Sequence, residues 1–265
     1  MKRDEQELAS SFGTAATAYA AHRPDYAQAA VRWILDAAPQ PRGAAPGPRV
    51  LDLGAGTGKL TATIRAAGGI VTAVEPDPAM LAELHRELPD VPARAGSAES
   101  IPLPDASVDA VLAGNAMHWF AMETAGPEIA RVLAPGGVVA GLWNVVDDRI
   151  DWVAGLARVS GSAAIGPRDT PDSWRAEAAR IALPGDLFTA AEQATFAHGQ
   201  TRTADSLVAT LGTRAGMLVM PAGERRAALD RIRAFLASRP ETADGEFTLP
   251  MLTCVLRARR ADSRR

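Results

Sequence analysis

The chain has 265 residues, of which 47% are hydrophobic, so it is long and apolar enough to bury the core of one large α/β domain with additions. Its formal net charge of -3 offers no basic field for a phosphate backbone, and we expect no nucleic-acid partner. No stretch reaches the roughly 18 apolar residues of a membrane span, and the single cysteine, Cys254, excludes an internal disulfide. These features predict a cytoplasmic protein without a membrane partner. We expect it to be a monomer or a homodimer.

The N-terminal part is predicted to be helical. Helices are expected from Tyr19 to Tyr26, with a break at Pro24, and from Tyr26 to Ala38. A proline- and glycine-rich connection from Pro39 to Pro48 then leads into the first strand.

Strands and helices alternate in the next part of the chain. Strands are predicted at 49–53, 70–74, 93–95, 106–113 and 138–143, and helices at 78–88, at 122–133 and from 59 to the glycines at 68 and 69. Such alternation predicts a parallel sheet with right-handed crossover connections. The run from Val108 to Ala113 is almost continuously apolar, as expected of a strand that is covered on both faces.

The pattern changes after Asn144. A helical segment from Asp151 to Leu183, interrupted at Gly166-Pro167, is too long for a simple connection. The remaining chain is predicted to form strands at 193–203 and 246–259, with helices at 204–212 and 222–238 between them.

The most informative segment runs from Val50 to Leu60, where a buried strand meets a helix through the glycine-rich loop Gly54 to Gly58. Glycine permits positive φ and close approach to the backbone, and the loop delivers N–H groups at a helix N-terminus. A dinucleotide fingerprint would need its third glycine where Lys59 stands. Asp52 would repel a pyrophosphate and attract a cationic amino-acid group. The loop therefore favours a positively charged, zwitterionic cofactor.

A second candidate position lies at the end of the next predicted strand. Glu75 is followed by Asp77 as the expected helix N-cap and by Pro78 at the first helical position. An acid at the end of the second strand of a βαβ unit is placed to accept both hydroxyls of a ribose, and it excludes a phosphorylated 2′ position.

The chain at this point resembles the class I S-adenosylmethionine-dependent methyltransferases, in particular their small-molecule branch. The resemblance covers about residues 50 to 143 and rests on motifs in the family's order and spacing. These motifs are Asp52 to Gly58, Glu75-Pro76, Gly96 to Glu99, Ile101 to Asp105, Asp109 to Leu112 and Ala130 to Gly137.

The resemblance implies an α/β, Rossmann-like, seven-stranded and mostly parallel sheet in the order 3-2-1-4-5-7-6, with the last strand antiparallel and helices on both faces. It implies S-adenosylmethionine as the cofactor, S-adenosylhomocysteine as the product and no metal. Gly54 and Gly56 would lie against the methionyl part, Glu75 on the ribose, and Ser97 to Glu99 around the adenine. The residues expected to contact the cofactor are Tyr19, Arg23, Asp52, Gly54, Ala55, Gly56, Gly58, Glu75, Pro76, Ser97, Ala98, Glu99, Asn115 and Ala116.

Four domain segments follow from the same resemblance. They are an N-terminal helical lid at 1–48, a cofactor-binding core at 49–145, a helical insert that covers the substrate at 146–192, and a C-terminal part of the sheet with inserted helices at 193–265. Within the lid, Tyr19, Arg23-Pro24 and Tyr26 resemble the opening motif of the branch. Arg23 could pair with the cofactor's carboxylate or with an acid on the domain surface.

His118 is the candidate catalytic residue. It lies immediately beyond the carboxyl end of the fourth predicted strand, where ligands bind in open α/β sheets, and it begins a His-Trp-Phe triplet that resembles the branch's own. A neutral imidazole could accept a proton from the methyl acceptor near pH 7, or His118 could contact a ligand or order the loop. Tyr26, Trp119 and Trp143 are the candidate substrate-binding residues.

The sequence thus predicts a methyltransferase that moves the sulfonium methyl group to an O, N or C nucleophile of a small, apolar or aromatic molecule. A non-catalytic cofactor-binding module and a nicotinamide-dependent dehydrogenase stay open as alternatives. An enzyme acting on base amines or protein glutamine would need a Pro-Pro pair after Asn115, where Ala116 and Met117 stand. A metal-dependent catechol enzyme would need several acids after the fourth strand, and Glu123 alone does not supply them.

Overall fold

The described part of the chain forms one seven-stranded sheet. In the computed structural model, which describes residues 24–39, 46–166 and 169–261, the strands are β1 (Arg49–Leu53), β2 (Ile70–Glu75), β3 (Ala93–Ala95), β4 (Val108–Gly114), β5 (Leu133–Val146), β6 (Glu192–Arg202) and β7 (Phe247–Arg259). They lie in the order β3-β2-β1-β4-β5-β7-β6, with the last strand antiparallel. The predicted fold class, a mostly parallel Rossmann-like sheet, is confirmed.

The helices follow the predicted alternation with the strands. They are α1 (Gln28–Leu35), α2 (Lys59–Ala66), α3 (Pro78–Glu87), α4 (Met122–Val132), α5 (Asp151–Ala164), α6 (Pro171–Ala178), α7 (Ala204–Gly212), α8 (Ala215–Leu218) and α9 (Ala222–Ala237). Asp77 caps α3 as predicted, because its side chain accepts the N–H groups of Ala79 and Met80.

Three helix predictions need correction. The helix expected from Tyr26 begins at Gln28, since Ala27 has an extended ψ of 120°. The helix expected from Tyr19 to Tyr26 lies largely outside the described residues, and its described end is not helical. The segment expected to be helical up to Leu183 ends at Ala178, and Pro184 disfavours the helical conformation for the residue before it. The single turn α8 was not predicted.

β5 begins five residues earlier than the predicted start at Val138. Val108 pairs with Leu133, whereas Ala110 pairs with Val138, so the partner strand carries extra residues between these two pairs. Gly136 within this stretch has φ 71°, a conformation that glycine adopts without strain. The Pro-Gly-Gly segment expected before the strand is therefore a bulge within it.

Contacts divide the chain into two compact units. The larger unit contains the described residues within Asp25–Trp143, Ala178–Phe196 and Thr253–Arg265. Its core includes Ile34, Leu112 and Leu142, each 0% exposed, and β4 is buried from Val108 to Ala113 as its apolar sequence predicts. The carboxyl ends of β1, β2 and β4, which carry the candidate cofactor residues, belong to this unit.

The smaller unit contains Asn144–Glu177 and Ala197–Leu252, together with Pro24 of the described N-terminal residues. It has a core of its own, in which Leu156 of α5, Leu211 of α7 and Ile232 of α9 are buried. The four domain boundaries drawn from the sequence stay a prediction. Among the residues that the structure describes, no helix combines the length and apolar character needed to cross a membrane.

Candidate active site

The glycine-rich loop joins β1 to α2 with three residues in the left-handed region. Gly54, Gly56 and Gly58 have φ values of 71°, 57° and 89°. The N–H groups of Gly54 and Ala55 both donate to the carbonyl of Val74, at 2.8 and 3.1 Å. Because Val74 lies near the end of β2, these bonds fix the start of the loop against the neighbouring strand.

The three glycines differ in the space around them. A Cβ on Gly54 would lie 2.8 Å from Cβ of Ala116, and one on Gly58 would lie 2.9 Å from Cδ1 of Leu88. A Cβ on Gly56 would have no heavy atom within 4 Å. A side chain would therefore clash with Ala116 at Gly54 and displace leucine side chains at Gly58, while Gly56 leaves open space beside the backbone.

Glu75 ends β2 and holds the loop through its carboxylate. Its Oε2 accepts the N–H of Gly56 at 2.8 Å, and its Oε1 accepts the N–H of Asp77 at 2.9 Å. Burial raises the pKa of the Glu75 carboxyl, whereas the two backbone hydrogen bonds oppose that shift. Each carboxylate oxygen has a second lone pair, so these bonds leave Glu75 able to accept further donors.

Asp52 lies in β1 with 0% exposure. Its Oδ2 accepts the hydroxyl of Thr61 at 2.5 Å, and its Oδ1 is buried with no hydrogen-bond partner among the described residues. Burial raises the pKa of Asp52 from 3.8 to about 7, with the charge of Glu75 acting in the same direction. A buried carboxylate oxygen without a donor is costly, and a cationic group bound next to it would remove that cost.

The predicted adenine residues follow β3. Glu75 pairs with Ala95, so Ser97 comes two residues beyond the point where β2 and β3 end together. Ala98 is buried, and the carboxylate of Glu99 accepts the N–H of Ala121 at 3.0 Å. The structure thus brings Ser97 to Glu99 to the same end of the sheet as Glu75.

Asn115 follows β4 in a left-handed conformation, with φ 50°. Its N–H donates to the carbonyl of Leu142 at 2.7 Å, and its Nδ2 donates to the hydroxyl of Tyr26 at 3.1 Å. Tyr26 is only 8% exposed and packs against Gly114, which has no Cβ to obstruct the ring. Asparagine tolerates this conformation better than most residues, which accounts for its presence at the bend.

His118 lies in a 3-10 turn, Met117–Trp119, shortly after Asn115. The indole Nε1 of Trp143, in β5, donates to Nδ1 of His118 at 3.1 Å. Trp143 is 2% exposed, whereas Trp119 is half-buried and its ring centroid lies 4.8 Å from that of the imidazole. The structure therefore brings together His118 and two of the three candidate substrate residues.

Comparison with known proteins decides the family. The profile of the family described as a methyltransferase domain matches residues 51–141. An uncharacterized methyltransferase of Mycobacterium tuberculosis is 39% identical over 259 residues, covering 97% of this chain and 99% of its own. An uncharacterized methyltransferase-like protein of Schizosaccharomyces pombe is 35% identical over 235 residues, covering 86% and 88%. The chain belongs to the class I methyltransferases.

A solved structure agrees with this assignment. A protein from Anaeromyxobacter dehalogenans, assigned as a type II methyltransferase, is similar to this methyltransferase with a TM-score of 0.60 and 28% identity. The match covers 90% of this chain and 97% of that one. The likeness therefore extends over both units and is not limited to the motif-bearing strands.

Two predicted cofactor residues of the methyltransferase, Tyr19 and Arg23, lie outside the described residues. The sequence reasoning missed Thr61, the donor to Asp52, because a threonine one turn inside a helix carries no motif of its own. It also missed the bond between Trp143 and His118, whose partners are 25 residues apart in the chain. Across the described ranges, no group of three or more His, Cys, Asp or Glu side chains is arranged to hold a metal.

Proposed function

We propose that the methyltransferase moves a methyl group from S-adenosylmethionine to an O, N or C nucleophile of a small, apolar or aromatic molecule. The observation that carries the proposal is the buried Asp52, whose Oδ1 lacks a hydrogen-bond partner among the described residues. An α-ammonium group is the complement of such an oxygen, since it supplies both positive charge and N–H donors.

The other residues of the site fit the rest of this cofactor. The open backbone at Gly56 would admit the methionyl part, and the carboxylate of Glu75 would accept the ribose hydroxyls. Ser97, Ala98 and Glu99 are proposed to surround the adenine, with Pro76, Ala55, Asn115 and Ala116 completing the contacts. Tyr26 and Trp119 remain the proposed substrate-binding residues, whereas Trp143 is 2% exposed and donates its indole N–H to His118.

The cofactor, when bound, supplies a methyl group on a sulfonium, which is intrinsically reactive. The chain has mainly to hold donor and acceptor in line and exclude competing water, and such positioning can contribute about 7–11 kcal/mol to lowering the barrier. Asp52 would hold the amino-acid end through charge, while Glu75 keeps the glycine loop in place through Gly56.

Calorimetric titration tests the cofactor. We expect S-adenosylhomocysteine to bind and NAD not to bind, because Asp52 would repel a pyrophosphate at this loop. Binding of NAD without binding of S-adenosylhomocysteine would favour a nicotinamide-dependent dehydrogenase and refute the proposal.

A second assay separates an enzyme from a non-catalytic cofactor-binding module. Labelled S-adenosylmethionine is incubated with a panel of small phenols, aromatic carboxylates and aliphatic acids, and label in the organic product is measured. Transfer to any member supports the enzyme. Tight cofactor binding with no transfer to any acceptor class would instead favour the binding module.

A further inference from the structure

The contact between Trp143 and His118 has a fixed direction. An indole nitrogen carries a proton and can only donate, so Nδ1 of His118 must accept with its lone pair. The two nitrogens are 3.1 Å apart, and the rings are tilted by 37° with their centroids 6.5 Å apart. The contact is therefore a hydrogen bond between the ring edges rather than a stack.

The strand beneath Trp143 holds the indole in this position. A Cβ on Gly141, two residues earlier on the same face of β5, would lie 2.7 Å from Cζ3 of Trp143 and would also overlap Cη2. Because Gly141 has no side chain, the indole ring of Trp143 can lie directly over the backbone of β5 at this position. Met117 fills the same region, because its sulfur would be 3.0 Å from that Cβ.

Backbone hydrogen bonds fix the position of His118 as well. β4 and β5 pair up to Gly114 and Leu142, and the N–H of Asn115 continues the pairing with the carbonyl of Leu142. The turn that carries His118 is closed by the N–H of Trp119, which donates to the carbonyl of Ala116 at 2.8 Å. Trp143 therefore lies on β5, and His118 lies in a hydrogen-bonded turn that follows β4, the strand paired with β5.

A neutral imidazole carries one proton, and the nitrogen that accepts cannot be the one that holds it. We propose that Trp143 fixes His118 in the tautomer protonated at Nε2, so that His118 offers the methyl acceptor a hydrogen-bond donor and not a base. This inference rests on the proposed function, of which it specifies one substrate contact. Trp143 is then a positioning residue, and His118 is the residue that touches substrate.

A hydrogen-bond donor at Nε2 of His118 restricts which chemical class of molecule can receive the methyl group. A lone pair on the acceptor forms the new bond to the methyl carbon as the carbon–sulfur bond breaks, and both electrons of that bond stay on sulfur. Donation by Nε2 to the attacking atom itself would withdraw electron density, so the favourable partner is a second oxygen beside it. Carboxylates, which have two adjacent oxygens and no proton to lose near neutral pH, satisfy this arrangement best.

Nuclear magnetic resonance tests the tautomer without a substrate. Long-range proton–nitrogen spectra of the ¹⁵N-labelled protein distinguish the two tautomers for each of its four histidines, and His118→Gln assigns the signal. We expect Nε2 of His118 to be protonated in the native protein and the two tautomers to mix in Trp143→Phe. Trp33→Phe, a change in α1 of the same unit, should leave the His118 signal unchanged. A native spectrum with Nδ1 protonated would overturn the inference.

Methyl transfer tests the role of the proton. Glutamine keeps an N–H donor but is no base, so with a carboxylate from the panel His118→Gln should retain most of the rate, while His118→Ala loses about tenfold or more. Equal loss in both variants would mean that a base is needed, and would refute the donor role. Failure of the proposed function can be told apart from failure of this inference. In the first case S-adenosylhomocysteine does not bind, whereas the tautomer of His118 is still the expected one.

Discussion

Among the single residues, Asp52 shows the clearest conflict between folding and binding. Its carboxyl is fully buried with Thr61 as its donor, and burial raises its pKa to about 7. The unfolded chain loses this proton near the ordinary value of 3.8. Between these two pH values the folded protein binds the extra proton, so this residue's contribution to stability is full below about pH 4 and is lost as the pH rises past 7.

Asp52→Asn should therefore stabilise the protein without ligand at alkaline pH. A shift of this size corresponds to about 4 kcal/mol, which is the upper limit of the gain in unfolding free energy at pH 8. The gain should shrink at pH 5, where Asp52 is already protonated. Urea denaturation at both pH values measures the difference, and an equal effect at pH 5 and pH 8 would contradict the titration of Asp52 in this window.

The same substitution should weaken the cofactor site. Losing a charged partner of an ammonium group is expected to reduce the affinity for S-adenosylhomocysteine about ten- to hundredfold in calorimetry at pH 8. In the native protein the affinity should also fall as the pH drops below 7, because Asp52 becomes protonated. Asp109→Asn is the matched control, since Asp109 lies near the start of β4 and pairs with Arg49. Equal loss in both variants would contradict the role of Asp52.

Glu75 combines two roles that one variant can separate. Its carboxylate holds the N–H groups of Gly56 and Asp77, and it is proposed to bind the ribose. We expect the native protein to bind adenosine more tightly than 2′-deoxyadenosine, and Glu75→Gln to bind both weakly with little preference. A variant that weakens both nucleosides but keeps the full preference would assign Glu75 to the loop alone.

At the scale of elements, the glycine loop depends on its conformation and on the open space beside it. Gly56 and Gly68 form a matched pair, since both have positive φ and neither would bring a Cβ within 4 Å of another atom. Only Gly56 lies at the proposed cofactor site.

Substitution of either glycine by alanine should reduce the unfolding free energy by a similar amount, about 1–2 kcal/mol, because alanine is strained at positive φ. Gly56→Ala should in addition lower the affinity for S-adenosylhomocysteine at least tenfold, whereas Gly68→Ala should leave it unchanged. Thermal unfolding and calorimetry measure the two effects. Unchanged affinity in Gly56→Ala would show that the loop is not approached by the cofactor.

For the whole molecule, the division into two units separates stability from cofactor binding. The described candidate cofactor residues all belong to the larger unit, while Leu156 lies in the core of the smaller one. Leu156→Ala should lower the unfolding free energy by about 2–5 kcal/mol through the cavity it leaves. Calorimetry at a temperature where the variant stays folded should give an affinity for S-adenosylhomocysteine within about twofold of the native value. A larger loss would show that the smaller unit contributes to binding.

The periodic parts of the chain were predictable to within a few residues, and the irregular parts were not. β1 and β3 have the predicted bounds, because each is short and flanked by clear turn residues. The predicted start of β5 was wrong, because a bulge made of Ala, Pro and Gly residues has the composition of a turn. The long helical segment after Asp151 was also overestimated, because its residue pattern is compatible with a helix up to Leu183 although the last helix ends at Ala178. Pro184 restricts only the residue before it and does not set that end.

The sequence by itself predicted the alternation of strands and helices and the residues at the carboxyl ends of β1, β2 and β4, because these depend on local periodicity, glycine conformation and motif spacing. The strand order and the family were implied by the resemblance of its motifs to the class I methyltransferases. The tertiary structure decided what those residues contact. Thr61 donates to Asp52, Glu75 holds Gly56, and Trp143 orients His118. Each contact joins groups that lie apart in the chain, and which donor meets which acceptor depends on positions in space that no local pattern specifies.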